Sequence, residues 1–281
     1  MIPAAFDYHR PGTLPEALAL LKRHGDDARV LAGGHSLIPA MKLRLVEPRV
    51  LVDLGRIAEL RGISEQDGWI SIGALTTHAE IAASAVLRTK CPLLPEAAGH
   101  IGDVQVRNKG TIGGSLAHAD PAADWPPVAL ALDAELEIAG PSGTRRVAAT
   151  AFFTDLMQTA LQPGEVLRAI RVKPSGPSVA YVKTEQKASG FALCGVAVVV
   201  DRQAGRGAVA ITGVAATPYR AREVERALAG APVTPERIAA AAGFAAAGVQ
   251  PLGDIHGSPD YRAHLAVVNT TRALERASAG R

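Results

Sequence analysis

Short apolar runs with glycines or charges at their ends punctuate the chain. "RVLAG", "RVLVDL", "GWISIGAL", "AELEIAG", "VLRAIRV", "LCGVAVVVD" and "AVAITGVA" are rich in Val, Ile and Leu and predict β-strands. Between them stand segments that open with helix caps. "TLPEALALLKRHG" starts with Thr13 as N-cap, has Glu16 three residues on to complete a capping box, and stops at Gly25. "TTHAEIAAS" repeats the device with Thr77 and Glu80. "TPYRAREVERALAG" and "TPERIAAAAGFAAAG" each open with Thr followed by Pro at the expected first helical position, and each reaches a glycine.

The order of these signals is mixed. Strand and helix alternate early, strands crowd between residues 135 and 172, a hairpin-like pair flanks "RQAGRG" at 202–207, and helices finish the chain. This predicts an α+β fold and not a regular doubly wound sheet. Breaks fall near residues 55–60, after "VLVDLG", and at the Pro-, Gly- and Ser-rich "KPSGPS", 173–178. Three lobes are expected: 1–57, 58–176 and 177–281.

Composition narrows the chemistry by exclusion. At 281 residues and 48% hydrophobic the chain is long enough for two or three cores. A net charge of +3 and 4% aromatics give no basic, aromatic-laced surface for nucleic acid. No apolar run reaches the roughly 18 residues a membrane span needs, and "MIPAAFDYHRPG" lacks a signal-peptide pattern. Cys91 and Cys194 lie far apart with no ligand partners at metal spacing, so no metal or iron–sulfur site on this chain is expected. The expectation is a cytoplasmic protein without disulfides.

Two glycine pairs carry the candidate chemistry: "AGGHS", Ala32, Gly33, Gly34, His35 and Ser36, and "TIGGS", Thr111, Ile112, Gly113, Gly114 and Ser115. Both read as glycine turns leaving a β-type run, each with a serine close behind. A pyrophosphate is held by main-chain N–H groups, and glycine lets the backbone approach where a Cβ would not. Either pair alone is also compatible with a plain turn. Together they point to a phosphate-bearing ligand without naming it. Neither is a Walker loop or a GxGxxG fingerprint. In "AHADPAADWPP", Asp120 and Asp124 read either as N-caps or, for Asp124, as an acceptor for ligand hydroxyls. His35 and His118 sit beside the pairs as phosphate donors or as loop residues with local bonds.

"VLAGGHSLIPAMKLRL", "QVRNKGTIGGSLAHADPAADWPP" and "YVKTEQKASGFALCGVAVVV", in this order and spacing, resemble the FAD-binding medium subunit of molybdenum hydroxylases, of the carbon monoxide dehydrogenase and xanthine dehydrogenase kind. The resemblance runs from about residue 6 to about residue 261. It implies a two-lobed FAD-binding domain of the vanillyl-alcohol-oxidase (PCMH) type, followed by a C-terminal α/β lobe of the carbon monoxide dehydrogenase flavoprotein type. It places Ala32, Gly33, Gly34, His35, Ser36 and Leu37 around the FAD pyrophosphate, and Thr111, Ile112, Gly113, Gly114 and Ser115 in a second cradle. Asp124 falls where the family has an acidic residue bonding the ribityl chain, and Asp120 is counted with it among the cofactor-binding residues. Phe191, in "SGFA", stands where relatives often carry a Tyr against the isoalloxazine ring.

The resemblance also implies partners: a molybdopterin-containing large subunit, a small subunit with two [2Fe–2S] clusters, and a dimer of such heterotrimers. Electrons would reach FAD on this chain and leave to an external acceptor. No acid–base dyad or nucleophile is expected here, because the chemistry belongs to the cofactor. Two rival readings are a self-contained FAD oxidase or dehydrogenase and a flavin-free assembly scaffold. The substrate of the complex and its acceptor are not written in this chain.

Overall fold

The computed structural model describes residues 1–202 and 204–279. Among these, most strands gather into three sheets. The first is parallel: β1 (Asp7–His9) and β2 (Ala28–Leu31) flank β3 (Val50–Asp53). Parallel strands need crossovers, which α1 (Leu14–His24) and α2 (Leu37–Lys42) provide. α1 starts where expected: Thr13 and Glu16 form a reciprocal capping box, and Gly25, at φ 49°, ends the helix. Its inward face, Leu14, Ala17 and Leu21, packs with Val50 and Val52 of the central strand.

The second sheet is antiparallel. It is built from β4 (Ile63–Gln66), β5 (Trp69–Gly73), β6 (Glu135–Gly140) and β7 (Gly143–Ala148). After a small hairpin of β8 (Phe153–Asp155) and β9 (Gln158–Thr159) comes its last member, β10 (Val166–Val172). The order is β4-β5-β10-β6-β7. Short helices fill the stretch between β5 and β6: α3 (His78–Ala83), α4 (Ala85–Lys90), α5 (Leu93–Gly99), α6 (Val104–Arg107), α7 (Ile112–His118) and α8 (Trp125–Ala131). Trp125 and Phe152 anchor the core beneath them.

The third sheet runs antiparallel in chain order: β11 (Val179–Glu185), β12 (Ala192–Asp201), β13 (Arg206–Thr212) and β14 (Tyr219–Arg220). α9 (Arg222–Leu228), α10 (Pro235–Ala242) and the long α11 (Pro259–Ala279) join it in a separate apolar cluster. The β12–β13 hairpin is present, pairing Asp201 with Arg206; Gln203 in its turn lies outside the described residues.

Two local expectations change. "TPYR" does not begin a helix. Tyr219 and Arg220 pair with Ile211 and Ala210 as an edge strand, and α9 begins at Arg222. The Arg220 guanidinium donates to Asp133 at 2.6 Å, Leu130 O at 3.0 Å and Glu225 at 2.5 Å, so tertiary partners override the Thr-Pro start signal. The second glycine pair is not a turn after a strand either. Gly113 and Gly114 lie in the first turn of α7, capped by Thr111, whose Oγ1 accepts from Gly114 N–H. β7 escaped notice because five of its six residues are exposed and most are not apolar, as suits the edge of a sheet.

Candidate functional site

The first glycine pair follows directly from the end of β2. Gly34 sits at φ 78°, where glycine is favoured. Gly33 is glycine for a different reason: a Cβ there would lie 2.4 Å from Lys109 O and 2.8 Å from Gly110 Cα. Two segments some 75 residues apart in sequence therefore meet backbone to backbone. A cleft of about 650 Å³ opens beside this contact. Ala32, Gly33, Gly34 and His35 line one side, Lys109 and Thr111 another, and the lining also holds Arg61 and Arg10, the latter paired with Asp53 at 3.2 Å.

Hydrogen-bond accounting separates the two bends. Among the described residues, the N–H groups of Gly33, Gly34, His35 and Ser36 find no acceptor within the chain. A run of unpaired donors beside a concave surface needs water or a ligand. The second bend is the opposite. Ile112 N–H donates to Thr76 O (3.1 Å), Gly113 N–H to Ala74 O (2.8 Å), Gly114 N–H to Thr111 Oγ1 (3.1 Å) and Ser115 N–H to Thr111 O (3.1 Å). Gly113 exists to let α7 touch β5's exit, since a Cβ would fall 2.4 Å from Ala74 Cβ. These four amides therefore have acceptors within the chain, while Thr111 also lines the cleft. Among the described residues, the hydroxyl of Ser36 makes no cap bond to α2.

His35 uses Nδ1 for a local contact with Gly33 O at 3.0 Å, the loop reading of that residue. Leu37 opens α2 beside it. His78, not singled out from sequence, lies behind the cleft wall. Its Nδ1 accepts from Trp125 Nε1 at 3.0 Å, which fixes the proton of the neutral ring on Nε2. Burial first, then the charges of His35 and Arg107, lowers its pKa from 6.5 to about 4.

The remaining candidates sit deeper, at the junction with the third sheet. Asp120 accepts from Ala122 N–H at 2.8 Å and shapes the "DPAAD" loop. Main chain from the third sheet grips that loop: Ala192 N–H donates to Ala122 O, and Gly213 N–H and Thr212 Oγ1 both donate to Pro121 O. Asp124 stands at the N-cap position of α8, yet its side chain makes no cap bond. It is 6% exposed and accepts from Tyr181 Oη at 2.5 Å and Lys183 Nζ at 3.0 Å. Burial lifts its carboxyl above the usual range, against the pull of Lys183. Both oxygens have partners inside the chain, so Asp124 occupies the N-cap position without its side chain capping α8. Phe191 is 48% exposed on the loop before β12 and does not line the cleft as it stands.

These features define a nucleotide-binding module of two sheets with a third, antiparallel sheet docked on it. Comparison with known proteins then identifies the family. Residues 4–174 match the FAD binding domain in molybdopterin dehydrogenase, and residues 179–277 match the CO dehydrogenase flavoprotein C-terminal domain. The carbon monoxide dehydrogenase medium chain of Hydrogenophaga pseudoflava is 42% identical, with 99% of this chain and 98% of that one covered. The 6-hydroxypseudooxynicotine dehydrogenase complex subunit alpha of Paenarthrobacter nicotinovorans is 37% identical over 99% of this chain and 96% of the relative. A solved carbon monoxide dehydrogenase from Hydrogenophaga pseudoflava, one lacking the Mo-pyranopterin moiety of the molybdenum cofactor, superimposes with a TM-score of 0.96 at 43% identity, covering 99% of both chains.

The chain belongs to this family of FAD-binding subunits of molybdopterin dehydrogenases. It is an oxidoreductase subunit, its cofactor is FAD, and it has the α+β architecture expected. The cleft fits such a group: its volume lies within the roughly 300–1,000 Å³ of ligand sites, its floor tolerates no Cβ at Gly33, and its unpaired amides suit a pyrophosphate.

Sequence reading missed Arg10, Arg61 and Lys109 in the cleft and Tyr181 and Lys183 at the junction. The arginines gave no signal, being ordinary charges next to loops. Tyr181 and Lys183 did leave one: they occur two apart in a strand, so they share a face with an apolar neighbourhood in which a lysine is out of place.

Proposed function

We propose that this chain is the FAD-carrying electron-transfer subunit of a molybdenum hydroxylase in the cytoplasm. It receives electrons from the [2Fe–2S] clusters of a small subunit, which takes them from a molybdopterin-containing large subunit, and it releases them to an external acceptor. The assembly is a dimer of these heterotrimers, and this chain divides at 57/58 and 176/177. Bound FAD supplies a carrier stable with zero, one or two added electrons. The residues' work is positioning. Gly33 to Ser36 direct four amides at the pyrophosphate, Arg10 and Arg61 offset its charge, and the packed Lys109–Gly110 peptide keeps the cleft narrow. The third sheet, docked on the "DPAAD" loop, carries Phe191 to the flavin ring, and Asp120 shapes that loop. The relatives' differing names, for carbon monoxide and for a nicotine derivative, agree with a substrate chosen on another subunit.

One observation carries this reading: four consecutive unpaired amides at a backbone contact that only glycine permits. The test is the whole complex purified from its host, with and without Gly33→Val. The native complex should release one FAD per copy of this chain, and the variant should co-purify with both partners but without flavin. Full flavin in the variant overturns the cradle, and a native preparation free of flavin overturns the function.

A further inference from the structure

Lys183 is unusual among the described residues in carrying a full charge on a side chain only 1% exposed. Burying an ammonium is costly unless every proton finds an acceptor. Here each does: Nζ donates to His100 O at 2.7 Å, to Gly190 O at 2.7 Å, and to the Asp124 carboxylate, 3.0 Å away. Those acceptors lie on three different segments, the end of α5, the start of α8 and the loop between β11 and β12. Gly195 on the adjacent strand is kept bare for the same cluster, since a Cβ would meet Tyr181 Oη at 2.5 Å.

Among the described residues, the other hydrogen bonds of the loop from Gln186 to Phe191 are internal to it. Gln186 Oε1 accepts from the amides of Ala188 and Ser189, and Gln186 O from Gly190 N–H. Gly190 adopts φ 71°, and a Cβ there would lie 3.8 Å from Gly102 Cα, so the two glycine backbones are neighbours. Gly102 in turn packs on Val106, whose carbonyl accepts from Gly110, the residue that abuts Gly33. A short chain of contacts through Gly102 and Val106 therefore connects the loop to the cleft wall, and a single charged side chain ties the loop to the end of α5 and the start of α8.

We propose that Lys183 is a positioning residue whose buried ammonium clamps the 186–191 loop, and with it Phe191, against the FAD-binding module. The clamp explains how a half-exposed phenylalanine on a glycine-containing loop is held in register with a site built by other elements. That Phe191 faces the flavin rests on the function proposed above. The clamp itself does not.

The test uses the intact complex with Lys183→Met and with the double variant Lys183→Met/Asp124→Asn. The double variant leaves no unpaired buried charge and keeps the net charge of the junction unchanged. Hydrogen–deuterium exchange of the peptide 186–191 should accelerate about tenfold or more in both, the size expected for losing one charge-assisted hydrogen bond, while β12 and β13 keep their protection. The flavin reduction potential should shift in the double variant, reporting ring position and not charge. Unchanged exchange in the loop, or exchange that rises equally through the third sheet, overturns the clamp. A loosened loop with an unmoved potential overturns the link to the flavin. A native complex without flavin sinks the proposed function while leaving the exchange result to judge the clamp.

Discussion

The cleft and the junction are both polar, and they treat polarity in opposite ways. At the cleft, Gly33 to Ser36 present donors that nothing among the described residues satisfies. At the junction, the buried side chains of Asp124, Tyr181 and Lys183 are paired with one another and with the carbonyls of His100 and Gly190. Unpaired groups at a concave surface are held ready for something that arrives. Fully paired groups beneath a surface have spent their capacity on structure, because a partly satisfied buried network costs more than an apolar one. The contrast separates Asp124, whose carboxylate already has partners within the chain, from the glycine bend, whose amides have none among the described residues.

Four changes press on that contrast, in falling order of effect. Gly33→Val drives a side chain into the Lys109–Gly110 peptide, so flavin retention should be abolished with the partners still bound. Flavin analysis of the purified complex checks it. Asp124→Ala strands the Lys183 charge and should destabilise the protein by about 3–5 kcal/mol, seen as a lower urea midpoint. If flavin were lost there without a change in that midpoint, Asp124 would belong with the cleft.

His78 gives the third. Its folded pKa of about 4 lies below the ordinary 6.5, so the fold prefers the neutral ring. The stability this confers is complete above pH 6.5 and is lost as pH falls toward 4, about 3 kcal/mol in all. Urea titrations across that range should show the slope, and His78→Asn, which keeps an acceptor for Trp125 but cannot titrate, should flatten it. Smallest is Thr77→Ala, which removes the capping box of α3 beside the cleft. About 1 kcal/mol is expected, with flavin content unchanged.

Local rules made much of this molecule legible. The capping boxes at Thr13 and Thr77, the Thr234-Pro235 helix start and the seven apolar strands act within a few residues, so sequence alone reveals them. Where the reading failed, the deciding partner was distant. Tyr219 and Arg220 look like a helix start until β13 and Asp133 claim them. "TIGGS" looks like a turn after a strand until Ala74 and Thr76 accept its first amides and it opens α7.

The sequence by itself determined the family, the flavin and the first glycine bend, because motif order and a bare backbone are written residue by residue. Only the tertiary structure decided which polar groups remain free. A donor's availability depends on whether an acceptor some 40 or 60 residues away folds within 3 Å of it, and one-dimensional spacing does not encode that distance.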